Sequence, residues 1–391
     1  MTNGDAGSPG HSSFVIRNSN RDGYTRRVVH LKLLRTATLA LTAGLTITSC
    51  STPHSSEPAP RTQLRRFDHW ENFTRTETAG TLVLLSPRVE VGAWRELIVS
   101  WNAHCPPGTA LQVEACAWSG THQTRFYPIA TWTAEPGPQR TSLRPERDAD
   151  AAVETDTLIG AHPMDAAQVR ITLRGPSAEG RRPQLKFLAL SFLNPSVVPE
   201  ATAPDHHAWG LTLDVPERSQ LGHTGARGWC SPTALSMMLG WWSARLHRAE
   251  LDVPVPTMAQ AVFDPAYGGT GNWNFNTAYA GSFDGMRAYA TRLDSLRPVE
   301  EFIAAGVPVA LSVSFDLLNG QQKDQNNGHL IVVVGFTESG DVVVNDPWPN
   351  PKGENRVRKI FPRAQVLSAW QRSKQTIYVV VPEGLELKMG P

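Results

Sequence analysis

The chain has 391 residues, 40% of them hydrophobic and 19% charged, with a formal net charge of +1. That length accommodates two domains of ordinary size, and the balance of charge and apolar content excludes extended disorder, a polybasic nucleic-acid binder and a multi-span membrane protein. Four cysteines, Cys50, Cys105, Cys116 and Cys230, are an even number that would suit two disulfides in an exported protein, but their surroundings separate them.

Residues 1–25 are polar, rich in Gly, Ser and Asn, and without periodicity. Arg26, Arg27, Lys32 and Arg35 then precede an uncharged run from Thr36 to Thr48 that closes on Ser49-Cys50. A basic flank, a short apolar stretch and small residues at its end make an export signal. The run falls short of the ~20 residues that a membrane-spanning helix needs. Ile47-Thr48-Ser49-Cys50 resembles the lipobox of bacterial lipoproteins, which makes Cys50 the candidate lipidation site and residues 1–50 the leader. Acyl chains there would anchor the protein on a membrane surface. Residues 51–66 read as a flexible tether.

Between 67 and 194 the short apolar runs TLVLL, ELIVSW, ALQVEA, FYPIATW, QVRITL and LKFLALSF alternate with Pro, Gly, Ser and Asp clusters. This is the grammar of an antiparallel, sandwich-like all-β domain. With a hairpin turn at Pro106-Pro107-Gly108-Thr109, Cys105 and Cys116 would sit roughly 20 Å apart along their strands, too far for a disulfide. Residues 195–212 read as a linker to a second domain, 213–391. There Ser231–Leu246 is apolar on nearly every side, which predicts a helix buried in a core with Trp241 and Trp242 as core residues. Pro298–Ala305 predicts another helix, stopped by Gly306. The runs VPVALSVSF, HLIVVVGF, DVVVND and TIYVVVP follow as strands. Helices and then an antiparallel sheet make the fold α+β.

The chemistry-bearing residues lie in this second domain. Cys230 stands at the start of the buried helix, where unpaired backbone N–H groups and the helix dipole favour a thiolate. A two-residue turn at Thr337-Glu338 would put His329 opposite Asp346 on a hairpin, and a slip of one or two residues leaves them within reach. A carboxylate beside an imidazole fixes its tautomer and stabilises its charged form, the part of the third member of a triad. Gln220 carries an amide that could join the Cys230 N–H in binding an oxyanion. Asn272 and Trp273, in the glycine-rich GGTGNWNFN, and Trp229, next to Cys230, are candidate substrate contacts; a packed turn over the core is the competing reading for that loop. Trp348 is a candidate shield for Asp346. Each feature alone has a structural explanation, and the combination is what points to a nucleophile. The sequence holds no metal-ligand spacing and no phosphate-binding loop, so neither metal nor cofactor is expected.

Gln220 at the end of PERSQ, GWCSPTALSMML around Cys230, GGTGNWNFNTAYA, NGHLIVVVGF around His329 and GDVVVNDPW around Asp346 together resemble the C39-like family of cysteine peptidases. These are papain-like in fold and found in exported actinobacterial proteins. IVSWNA and ETDTL give the first domain a less specific resemblance to the β-rich segment that precedes the peptidase-like domain there. The resemblance implies Cys230 as nucleophile, His329 as base, Asp346 as its orienter and Gln220 as oxyanion donor. Two departures stand out: Ser231 follows Cys230 where the family commonly has Gly, and Gln220 lies further upstream than usual. The expectation is an exported, monomeric, membrane-anchored or secreted hydrolase acting on a peptide or protein, with no nucleic-acid partner. The alternatives are a transpeptidase or acyltransferase using the same triad and a non-catalytic peptide- or cell-wall-binding lipoprotein.

Overall fold

Alternation of apolar and polar residues builds the first half of the molecule. In TLVLL, Leu82 and Leu84 are buried, and in ALQVEA, Leu111, Val113 and Ala115, as a pleated strand with one covered face requires. A computed structural model describes residues 60–143, 146–176, 181–349 and 355–385. Cys50 and the signal-like run lie outside these.

The first half contains β1 (Thr62–Phe67), β2 (Thr74–Thr78), β3 (Thr81–Leu85), β4 (Val89–His104), β5 (Ala110–Ser119), β6 (His122–Gln123), β7 (Tyr127–Thr133), β8 (Thr141–Ser142), β9 (Ala151–Glu154), β10 (Thr157–Arg174) and β11 (Gln184–Leu193). Their path is β1-β11-β4-β10-β5-β7-β8, with β3 and β9 also on β10. Two expectations are corrected here. The stretch assigned to the tether already enters the sheet, because Thr62 to Phe67 pair antiparallel with Leu193 to Leu188. The expected hairpin between β4 and β5 does not form, because the long strand β10 lies between them and pairs with both. Among the described residues Cys105 and Cys116 are nonetheless unpaired thiols.

The second half contains α1 (Cys230–Leu246), α2 (Val255–Ala261), α3 (Trp273–Ala280), β12 (Met286–Arg292), α4 (Arg297–Ala304), β13 (Val309–Ser314), α5 (Phe315–Leu318), β14 (Gly328–Phe336), β15 (Val342–Asn345), β16 (Arg358–Phe361), α6 (Arg363–Trp370) and β17 (Thr376–Pro382). Its antiparallel sheet runs β12-β17-β13-β14-β15-β16. α1 is the apolar helix that the sequence predicts: every residue from Cys230 to Trp242 is buried, and Met237, Met238, Leu239, Trp241 and Trp242 join Val332, Val344 and Val380 of the sheet in one core. The chain is α+β, a sheet domain followed by a domain of helices and a six-stranded antiparallel sheet.

The β14–β15 turn differs from the expected two-residue one. It spans Thr337–Asp341, closed by Thr337 N–H to Asp341 C=O at 2.9 Å and Gly340 N–H to Thr337 C=O at 3.0 Å. Gly340 sits at φ 83°, a backbone region that glycine enters without a steric cost, and a Cβ there would lie 2.4 Å from the Trp209 ring. The pairs become Phe336 with Val342 and, past a bulge, Val332 with Asn345, so Asp346 lies just beyond the strand end and diagonal to His329.

Both halves belong to one compact unit. The join runs along β4 and β12. Ser100 Oγ accepts the Ala290 N–H at 3.0 Å, and the Asn102 amide takes the Ala288 N–H at 2.9 Å while donating to the Ala288 C=O at 2.8 Å. The segment read as a linker is docked at its far end, where Leu213 N–H donates to Val334 C=O at 2.7 Å and Phe336 N–H to Leu211 C=O at 2.9 Å.

Candidate active site

The site is assembled from the start of α1 and one end of the hairpin. Among the described residues no side chain caps the N-terminus of α1, so its first-turn N–H groups are left for another acceptor. The Cys230 sulfur lies beside them, where the backbone N–H groups of Ser231 and Leu330 and the His329 side chain act on it. Burial alone would raise the thiol pKa, but the His329 bond and charge together with the two N–H groups lower it. The Ser231 hydroxyl is turned inward, 2.8 Å from the Tyr378 hydroxyl, so the residue that stands where glycine is common is absorbed by the core.

His329 is buried on β14, and its Nε2 lies 2.7 Å from Asp346 Oδ1. The ring's other nitrogen, Nδ1, is therefore the one left for Cys230. Burial disfavours the imidazolium, but the carboxylate of Asp346 and the Cys230 sulfur outweigh it and hold the His329 pKa up at about 10. The His329 and Phe315 rings meet in a T-shaped arrangement at 5.2 Å between centroids.

Asp346 is fully buried. Its Oδ1 also accepts the Trp348 N–H at 2.9 Å, and its Oδ2 accepts Lys359 Nζ at 2.7 Å. Lys359 bonds the Trp348 carbonyl as well, at 2.7 Å. Burial would raise the Asp346 pKa, but His329 and Lys359 bring it below the ordinary carboxylate value. Lys359 is the site residue that the sequence did not reveal. Its one signal was its register on β16, where it pairs with Val344, two residues before Asp346.

The remaining candidates divide. Gln220 is buried and tied to the segment after Asp346 by its N–H to the Pro347 C=O at 2.9 Å. Its side-chain Nε2 donates to the Ala226 C=O at 3.1 Å, while its Oε1 has no partner among the described residues. One amide N–H is thus committed away from an oxyanion. Asn272, expected on a substrate-facing loop, is an interior residue: its Oδ1 caps α3 through the Phe275 N–H at 3.2 Å and its Nδ2 donates to Asp264 Oδ2 at 2.8 Å. Both ends of its amide serve the fold. Trp273 is half-buried on the first turn of α3, and Trp229 is half-buried before Cys230 with its ring stacked 6.1 Å from His223. Trp348 reaches Asp346 through its backbone rather than its ring. Burial pushes Cys105 up to about 12 and Cys116 up to about 11, so Cys230 stands apart from the other two thiols. Among the described residues no group of His, Cys, Asp and Glu is arranged to hold a metal ion.

A buried thiol with a lowered pKa, an imidazole with a raised one and an orienting carboxylate are what nucleophilic attack on a carbonyl requires. Residues 212–378 match the model of the Peptidase_C39 like family, and residues 36–192 match that of the Peptidase C39 N-terminal domain. Among solved structures, a Bacillus anthracis protein assigned as a C39-like peptidase aligns at 18% identity with a TM-score of 0.33, covering 44% of this chain and 98% of the other. No curated protein matches the sequence.

Proposed function

We propose, on the match of residues 212–378 to the Peptidase_C39 like family model, that the protein is a cysteine hydrolase that cleaves peptide bonds through a thioester. The observation that carries this reading is the placing of buried His329 between the Cys230 sulfur and the Asp346 carboxylate. The thiolate attacks the peptide carbonyl carbon, forming a C–S bond and moving negative charge to the oxygen. Backbone N–H groups at the start of α1 receive that charge, and the Gln220 amide N–H not given to the Ala226 C=O joins them. Imidazolium His329 gives its proton to the departing amine as the C–N bond breaks. In the second half, His329 takes a proton from water, hydroxide displaces sulfur from the acyl carbon, and the thiolate returns.

A peptide-library digest tests this. The wild type should release cleavage products, and Cys230→Ala should fall to background, a loss of at least ~10³-fold. Equal digestion by both proteins, or none by either, removes the proposal. We extend it to export with lipidation at Cys50, which rests on the basic flank, the apolar run and the lipobox-like tetrapeptide. Labelled palmitate should enter the wild type in its native host and not Cys50→Ala; label retained in the variant places the acyl group elsewhere.

A further inference from the structure

Two motifs of the first half, IVSWNA and ETDTL, take no part in the chemistry above, yet both touch the second half. In the first, Trp101 meets Phe275 of α3 edge-on at 6.3 Å, and Asn102 holds β12 through Ala288. The second forms the tip of the β9–β10 hairpin. Its Asp156 Oδ2 accepts the Trp273 N–H at 3.1 Å, and its Asp156 carbonyl accepts the Asn274 Nδ2 at 3.0 Å. A carboxylate from one half thus caps the first turn of a helix in the other, where the helix dipole favours negative charge.

The tip is built at a cost to the backbone. Thr155 lies at φ 56°, a left-handed conformation that a β-branched residue seldom adopts. Asp156 N–H closes back on the Glu154 carbonyl at 2.7 Å, the three-residue γ-type turn that is strained at positive φ. Such strain persists where the surroundings over-determine it, and here the surroundings are the Trp273 and Asn274 contacts.

What α3 carries at its head is the loop from Asp264 to Asn272, which borders Cys230. Thr270 Oγ1 donates to the Gly228 carbonyl at 2.9 Å, two residues before the nucleophile. Tyr267 on the same loop is 52% exposed, and burial, then the charge of Asp156 and after it that of Cys230, raise its hydroxyl pKa. The first half holds this loop at a second point: Asp264 Oδ1 accepts the Ser142 N–H of β8 at 3.0 Å.

We propose that Asp156 is a positioning residue for the substrate cleft: the hairpin tip of the N-terminal domain fixes α3 and the 264–272 loop, which makes that domain a structural part of the binding wall. The proposal rests on the hydrolase reading only in calling this wall substrate-facing.

Hydrogen exchange on the full chain, wild type against Asp156→Ala, tests the positioning itself. Amide exchange in peptides spanning 264–276 should rise about tenfold, as expected for losing one charge-assisted bond. Exchange in α1 and β14 should stay as in the wild type, and iodoacetamide should alkylate Cys230 within twofold of the wild-type rate. Asp156→Asn, which keeps the acceptor oxygen, should recover part of the protection. With a cleavable peptide, Asp156→Ala should raise KM and leave kcat within about twofold. Unchanged exchange over 264–276 overturns the proposal, as does a rise spread evenly over the second half in both variants. A chain that cleaves nothing while showing the local rise refutes the hydrolase reading and leaves the positioning intact.

Discussion

Iodoacetamide is expected to alkylate Cys230 with a rate that climbs less steeply between pH 6 and pH 8 than that of an ordinary thiol. An ordinary thiol with a pKa of 8.5 to 9 gains thiolate almost in proportion to hydroxide over that range, so its rate climbs nearly a hundredfold. Cys230 differs because its pKa is lowered by the bond and charge of His329, and His329 in turn is held at about 10. A depressed acid is ionised above its folded pKa, and a raised base stays protonated until the pH climbs through its own. Between the two limits the thiolate–imidazolium pair is already formed, and the rate is flat. Peptide cleavage should share the plateau and fall as the pH rises through about 10, when His329 loses the proton that the leaving amine needs. His329→Ala removes the partner and leaves burial as the governing influence, so alkylation at pH 7 should drop at least ~100-fold. Cys105 and Cys116, pushed up to about 12 and about 11, serve as slow thiols in the same digest. A Cys230 rate that tracks pH with unit slope up to pH 8.5 would falsify the ion pair.

The halves of this site were unequally visible in the sequence. Cys230 announced itself because a helix start and an apolar run are local features. His329 and Asp346 were recognisable as neighbours because a hairpin brings its two strands together under many turn lengths, so reading a five-residue turn (Thr337–Asp341) as a two-residue one shifted the pair to the diagonal without parting them. Lys359 was hidden for the opposite reason. It reaches Asp346 only because β16 pairs with β15, and no turn signal fixes that register. Asn272 misled because a glycine- and asparagine-rich loop looks open, while an asparagine there also makes a good helix cap, and the cap won. The insertion of β10 between β4 and β5 is likewise long-range, and no local pattern around Pro106-Pro107-Gly108 could have shown it. Asp156 needed the docking of two domains before its place at α3 had any meaning.

Lys359→Met is expected to destabilise the fold by about 3–5 kcal/mol and to move the pH dependence of the site, because it breaks a buried charge arrangement by removing one member. Asp346 has no exposed surface and divides its carboxylate: Oδ1 faces His329 and the Trp348 N–H, and Oδ2 faces Lys359. With the ammonium gone, Oδ2 is left buried without its cation. The lowered pKa of Asp346 contributes stability that is complete above its unfolded value of 3.8 and is lost as the pH falls through the lower folded value. Without Lys359 the folded value rises, so that contribution shrinks, and urea unfolding should show acid weakening at a higher pH than in the wild type. On the alkaline side the pH dependence of catalysis should move in the same direction. An Asp346 charge no longer shared with Lys359 stabilises the imidazolium more, so the alkaline fall in kcat/KM should move upward while the proton becomes harder to give to the leaving amine, lowering kcat. The Lys359 bond to the Trp348 carbonyl is lost as well, which frees the segment that carries the Trp348 N–H onto Asp346. Asp346→Asn separates the two influences: it removes the charge while keeping a hydrogen-bonding side chain, and kcat should fall by roughly 10²–10⁴ with little of the upward shift. If Lys359→Met unfolds within about 1 kcal/mol of the wild type and keeps its pH profile, the lysine is a bystander, and Asp346 owes its orientation to His329 and the Trp348 N–H alone.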